Sequence, residues 1–228
     1  MHWSKSAIRV VFVALVASLT AAAQQPPPTP PSRFVVVLDA AHGGDDAGGK
    51  LDSGQLEKNA NLTLSVRLRS LLAARGIQVV TTRESDASVD LNKRAEIANH
   101  ANAGLCMSLH ASESGSGVHM FASSLTPAQP TRFTAWKTAQ AAWVTRSLAV
   151  AGVLNSALVH AGLTVTLGRT TLPAVDSMTC PAVAVEIAPQ RDEENKITAE
   201  PDDPEYQARV ATSIAAAVVE WRTEAHQP

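Results

Sequence analysis

Four side chains carry the types and the spacing for one piece of chemistry. His42 lies in AAHGGDDAGG, Glu57 in QLEKN, His110 in CMSLHAS and Glu186 in PAVAVEIA. Zinc hydrolases commonly use three protein ligands, His₂Glu among them, and leave a fourth position for water. The metal acidifies that water and polarises a scissile carbonyl. A further carboxylate, free of the metal, must carry a proton from the water to the leaving group. Two imidazoles and two carboxylates meet these needs in type and number. Each residue alone has a plainer reading. A histidine at a strand end is commonly a satisfied polar residue, and Glu57 alone is a first-turn carboxylate favoured by the helix dipole. Glu186 is harder to dismiss, because it interrupts an apolar run and an unpartnered buried carboxylate is costly.

The elements that position these residues follow from the apolar pattern. Phe34–Leu38, Ile77–Thr82, Leu105–Leu109 and Ala182–Ile187 are short runs rich in apolar and β-branched residues, expected as strands. Val118–Phe121 and Val165–Leu167 are shorter candidates. Leu56 to Leu72 has helical spacing, Asp90 can cap a helix through Ala98, and Ala135–His160 and Pro204–Trp221 read as longer helices. Strands alternating with helices give an α/β domain of three layers around a mostly parallel sheet. In such sheets ligands gather at the carboxyl ends of the strands. His42 and His110 follow the first and third strands, Glu186 lies near the end of the last, and Glu57 opens the first helix.

Composition narrows the alternatives. The chain has 228 residues, 45 % apolar and 18 % charged, as a globular domain requires. Nineteen Lys and Arg face 21 Asp and Glu, so no basic field invites nucleic acid. The loop HGGDDAGG lacks a following GK[ST] and the G-x-G-x-x-G spacing, and Asp45 and Asp46 would repel a phosphate. Ser108 has no evident His-Asp relay and is read as packed. Residues 1–23 read as a secretory signal: Lys5 and Arg9, an apolar run from Val10, then Ala21-Ala22-Ala23. The run is short for a membrane anchor. Without Lys5 and Arg9, 17 basic and 21 acidic residues leave a charge of −4. Residues 24–32 hold five prolines and read as an extended spacer. The domain is expected over residues 33–222, with a tail over 223–228. Cys106 and Cys180 are expected as two buried free thiols, although export would permit a bond.

The ordered strings LDAAHGGDDAGG, LEKN, TTRESD, LNKRAEIAN, SLHAS and PAVAVEIA resemble the zinc-dependent N-acetylmuramoyl-L-alanine amidases of the amidase-3 family. The resemblance spans Phe34 to Glu186. It implies a six-stranded sheet in an αβα sandwich of the phosphorylase/hydrolase-like kind. It implies one Zn²⁺ per chain held by His42, Glu57 and His110, with Glu186 as catalytic carboxylate. The implied substrate is peptidoglycan, cut between N-acetylmuramic acid and L-alanine. The implied location is the periplasm or cell envelope. The chain is expected as a monomer with no stable membrane anchor after signal cleavage.

Other shared residues are expected to be scaffold. Arg83 and Asp86 would fix the turn after the second strand, Arg83 is also a candidate for contact with the site or substrate, and Arg94 and Asn99 would tether a helix. There are departures. Ala41 replaces a glycine, Ala188-Pro189 replaces Gly-Phe, Gln190-Arg191-Asp192 replaces the usual run, and His119 stands near where many relatives carry Glu. His119 is a candidate for substrate contact, against the plain reading of an ordinary strand histidine. In some relatives an insertion like Ser123–Trp143 covers the zinc until an activator protein binds. The reading adopted is a surface excursion into a long helix. Two alternatives remain: a zinc hydrolase of the same fold acting on another amide, and a wall-binding module that has lost catalysis.

Overall fold

Apolar strands buried on both faces need a helical layer on each side. The computed structural model describes residues 33–132 and 134–225, so the expected leader and spacer lie outside the described residues. Six strands form the central sheet: β1 (Val35–Ala40), β2 (Gln78–Thr81), β3 (Leu105–Ala111), β4 (Val118–Ser123), β5 (Val165–Thr170) and β6 (Ala182–Ile187). Their order is β2-β1-β3-β6-β4-β5. β1 pairs in parallel with β2 and β3, and β3 with β6. β4 runs antiparallel to β6, with β5 parallel to β4. Consequently the start of β4 lies beside the carboxyl ends of β3 and β6. A small hairpin, β7 (Gln190–Arg191) and β8 (Ile197–Ala199), follows the sheet.

The two sheet faces differ in side-chain size. One presents Leu38, Met107, Leu109, Met120 and Val185 to α1 (Glu57–Ala73), α3 (Val144–His160) and α4 (Pro204–Ala225). α1 shows how one helix serves both core and site. Leu64, Leu68 and Leu72 are fully buried, and the same stripe runs back through Asn61 to Glu57. Each leucine contributes ~2 kcal/mol through apolar burial, so the core side chains clamp the helix that carries Glu57. The other face, with Val37, Cys106 and Ala182, is covered by α2 (Leu91–His100) and residues 172–180. Asp90 caps α2 as expected, accepting from the Lys93 N–H at 2.9 Å.

Two expectations are corrected. Cys106 and Cys180 are not free thiols: they form a disulfide, with Cα atoms 6.2 Å apart. Cys106 lies on β3 and pairs with Ala182, which brings the chain just before β6 within bridging distance. Nor is 135–160 one helix. A 3₁₀ turn over Trp136–Ala142 meets α3 at 63°, across Trp143. Gln140 explains the break. Its buried amide donates to the carbonyls of Met178 and Cys180, both at 3.0 Å, and its Oε1 accepts from Ser147. A continuous helix would have to give up these bonds.

Candidate metal centre and active site

His42 leaves β1 in the left-handed backbone region, at φ 62°. Few non-glycine residues adopt it, and those that do cluster where the surrounding structure over-determines them. Arg94 donates to the His42 carbonyl at 2.8 Å, and both Arg83 and Asn61 donate to the Ala41 carbonyl. The turn aims the imidazole at Glu57. His42 Nε2 lies 3.2 Å from Glu57 Oε1, and His110 Nδ1 lies 2.9 Å from the same oxygen. One ligand atom from each of His42, Glu57 and His110 falls within 4.8 Å of the others, so this group could hold a metal ion. Gly48 closes the loop beside them at φ 66°, where a Cβ would lie 2.6 Å from Glu57 Oε2 and 2.7 Å from the His42 ring.

The remaining nitrogen of each imidazole has an acceptor. His42 Nδ1 donates to Asp46 Oδ2 at 2.8 Å. His110 Nε2 faces the Ser108 hydroxyl at 3.5 Å, the outer limit of a hydrogen bond, and that hydroxyl donates to Asp39 at 2.9 Å. Partners of this kind set the tautomer and ring orientation of metal-binding histidines. They leave His42 Nε2 and His110 Nδ1 both directed at Glu57 Oε1. The donor set and its convergence fit zinc.

The charges respond to this crowding. Burial pushes the Glu57 carboxyl up, but hydrogen bonds from His110, His42 and the Gly49 N–H together hold it well below the usual carboxylate range. The His42 imidazole is raised, chiefly by its hydrogen bond to Glu57 and then by Asp46, against the opposing effect of burial.

A buried network holds the backbone around these three residues. Asp39 accepts from Thr82, Ser108 and Arg94, the last at 2.6 Å. Arg83 donates to the carbonyls of Ala40, Ala41 and Lys58, which places it behind the site. Lys58 donates to the Gly44 carbonyl and to Asp86, and Asp86 also accepts from the Gly44 N–H. The HGG loop, the LEKN helix start and the TTRESD turn are thereby one structural unit. Asn99 holds Ser177 and Thr179 rather than the site itself. Asp39 was missed in the sequence, although it interrupts an apolar strand as Glu186 does.

Glu186 is the Cα partner of His110 on β3 and of His119 on β4. The three side chains form one row on one face, with neighbouring strands about 4.8 Å apart. His119 Nδ1 lies 3.1 Å from Glu186 Oε1, so His119 is not an isolated strand histidine. On the α2 side a cavity of about 460 Å³ adjoins His42 and His110. Its walls include Val89, Leu91, Leu172 and Val175 over a floor of Asp39, Ser108 and Ala184. No described residue of 123–143 lines it.

Comparison with known proteins agrees with this architecture. The family described as N-acetylmuramoyl-L-alanine amidase (Amidase_3) matches residues 36–220. AmiA, an N-acetylmuramoyl-L-alanine amidase of Escherichia coli, is 40 % identical over 73 residues, which is 32 % of this chain and 25 % of AmiA. The germination-specific amidase of Bacillus subtilis is 35 % identical over 86 residues, 32 % of this chain and 36 % of that protein. The matches therefore span about a quarter to a third of these relatives. The catalytic domain of CwlV from Bacillus (Paenibacillus) polymyxa superposes with a TM-score of 0.64 at 26 % identity, covering 83 % of this chain and 98 % of that one.

Proposed function

Because the chain belongs to the N-acetylmuramoyl-L-alanine amidase family, we propose that it is a zinc-dependent amidase that cleaves peptidoglycan between N-acetylmuramic acid and L-alanine. The observation that carries this reading is the convergence of His42, Glu57 and His110 beside Glu186. In it, His42 Nε2, a Glu57 oxygen and His110 Nδ1 hold one zinc per chain. When bound, zinc supplies Lewis acidity: it polarises the scissile carbonyl and acidifies water. Glu186 then works as the proton carrier. Its carboxylate takes the proton of the attacking water and delivers it to the departing nitrogen of L-alanine. Asp46, Ser108 and Asp39 keep both imidazoles in the tautomers that this arrangement needs.

The reading extends to place and organisation. Residues 1–23 serve as an export signal, 24–32 as a spacer and 33–222 as the catalytic domain, which acts as a monomer in the periplasm or cell envelope. The Cys106–Cys180 bond supports export, because disulfides persist in oxidising compartments. Glu186→Gln tests the chemistry. It keeps the shape but cannot accept a proton, so zinc content stays near wild type while sacculus digestion falls by roughly 10²–10⁴-fold. His110→Ala loses both zinc and activity. Stoichiometric zinc retained in that variant, or new reducing sugar ends in the wild-type digest, would refute the proposal.

A further inference from the structure

The hydrogen bonds around His119 define its tautomer. Ser116 offers its backbone N–H to His119 Nε2 at 3.4 Å. A backbone N–H can only donate, so Nε2 presents its lone pair. The ring proton of the neutral imidazole therefore sits on Nδ1, which faces Glu186 Oε1 at 3.1 Å. A carboxylate can only accept. The pair is thus a directed contact, from Nδ1–H to Glu186. Among the described residues, no side chain hydrogen-bonds the second oxygen of Glu186.

The surroundings are built to hold the ring. Gly115, at φ 89°, lies so close over the imidazole that a Cβ there would fall 2.2 Å from His119 Cε1. The chain after Glu186 pins this loop. Gly117 donates to the Pro189 carbonyl and accepts from the Ala188 N–H, and Arg191 donates to the Gly115 carbonyl. Ala188, Pro189, Arg191 and His119 are among the positions where the sequence leaves the family pattern. In the structure they form one assembly around Glu186.

We infer that His119 is a positioning residue for Glu186: its Nδ1–H fixes Oε1 and leaves Oε2 as the oxygen that handles the proton. It is not a relay, because Nδ1 already carries a proton and Nε2 is occupied by the Ser116 N–H. The inference rests on the amidase reading given above and adds a residue to it. Losing the contact lets the carboxylate rotate, and misplacement of a catalytic group can cost up to about 10²-fold in rate.

The experiment compares wild type, His119→Ala and His119→Asn on a soluble muramoyl peptide, with bound zinc and melting temperature recorded for each. Asparagine places an N–H donor near the position of Nδ1. We expect His119→Ala to lower kcat roughly 10–100-fold with KM and zinc unchanged, and His119→Asn to recover much of that loss. An alanine variant within ~2-fold of wild type, or an asparagine variant no better than alanine, would overturn the inference. Nitrogen NMR of the wild-type imidazole tests the contact without turnover and should find the Nδ1–H tautomer. An Nε2–H tautomer would overturn the inference even in an active enzyme. A wild-type protein inert on muramoyl peptides would instead overturn the functional reading beneath it.

Discussion

Opening the Cys106–Cys180 bond should cost this domain a large share of its stability. The bond joins residues 74 apart in sequence. Closing so long a loop removes conformational freedom from the unfolded chain, worth ~4.5 kcal/mol on the chain-entropy relation. Domains of this kind are stable by only about 5–15 kcal/mol. For a chain of this size each kcal/mol shifts the melting temperature by roughly 2–4 °C, so a fall of about 10–15 °C is expected. Two perturbations separate the cross-link from the packing of sulfur. Reduced wild type keeps both buried sulfur atoms, whereas Cys106→Ala/Cys180→Ala loses them as well. The alanine pair should therefore melt lowest. The segment over 172–178 is also held by Gln140 and Asn99, so reduced protein should keep its zinc at 25 °C. Thermal melts with and without reductant, alongside thiol titration and zinc analysis, check each step. Two titratable thiols in the untreated protein, or a reductant effect under ~3 °C, would refute the reasoning.

Ser108→Ala removes the hydroxyl between His110 and Asp39, and zinc affinity should fall about 10–100-fold in a chelator competition. Gly48→Ala forces a Cβ against Glu57 and His42 in a left-handed turn; a loss of ~1–2 kcal/mol in urea denaturation should accompany weaker zinc binding. Acidification should weaken zinc binding earlier than an ordinary histidine would suggest. The raised His42 imidazole keeps its proton to higher pH, and zinc must displace that proton. Apparent affinity should thus be highest at alkaline pH and begin to fall above pH 6.5, the ordinary histidine value, in competition titrations run from pH 8 to 5.5.

Local periodicity and residue chemistry already specify much of this molecule. Runs such as VVVL and AVAV can satisfy their burial only inside a sheet, and the stripe from Glu57 through Leu64 to Leu72 needs only helix geometry to join site to core. The site candidates were legible because a carboxylate in an apolar strand and histidines at strand ends are chemically conspicuous. Asp39 carried the same signal and shows its limit: nothing local says whether such a carboxylate works on substrate or holds Arg94 and Ser108. The reversed direction of β4, the break at Trp143, the Cys106–Cys180 bond and the grip of His119 on Glu186 were decided by tertiary structure alone. Each depends on partners 38 to 74 residues apart in sequence. Such contacts form only after the sheet order has brought distant strands side by side, so no window of sequence contains both halves of the interaction.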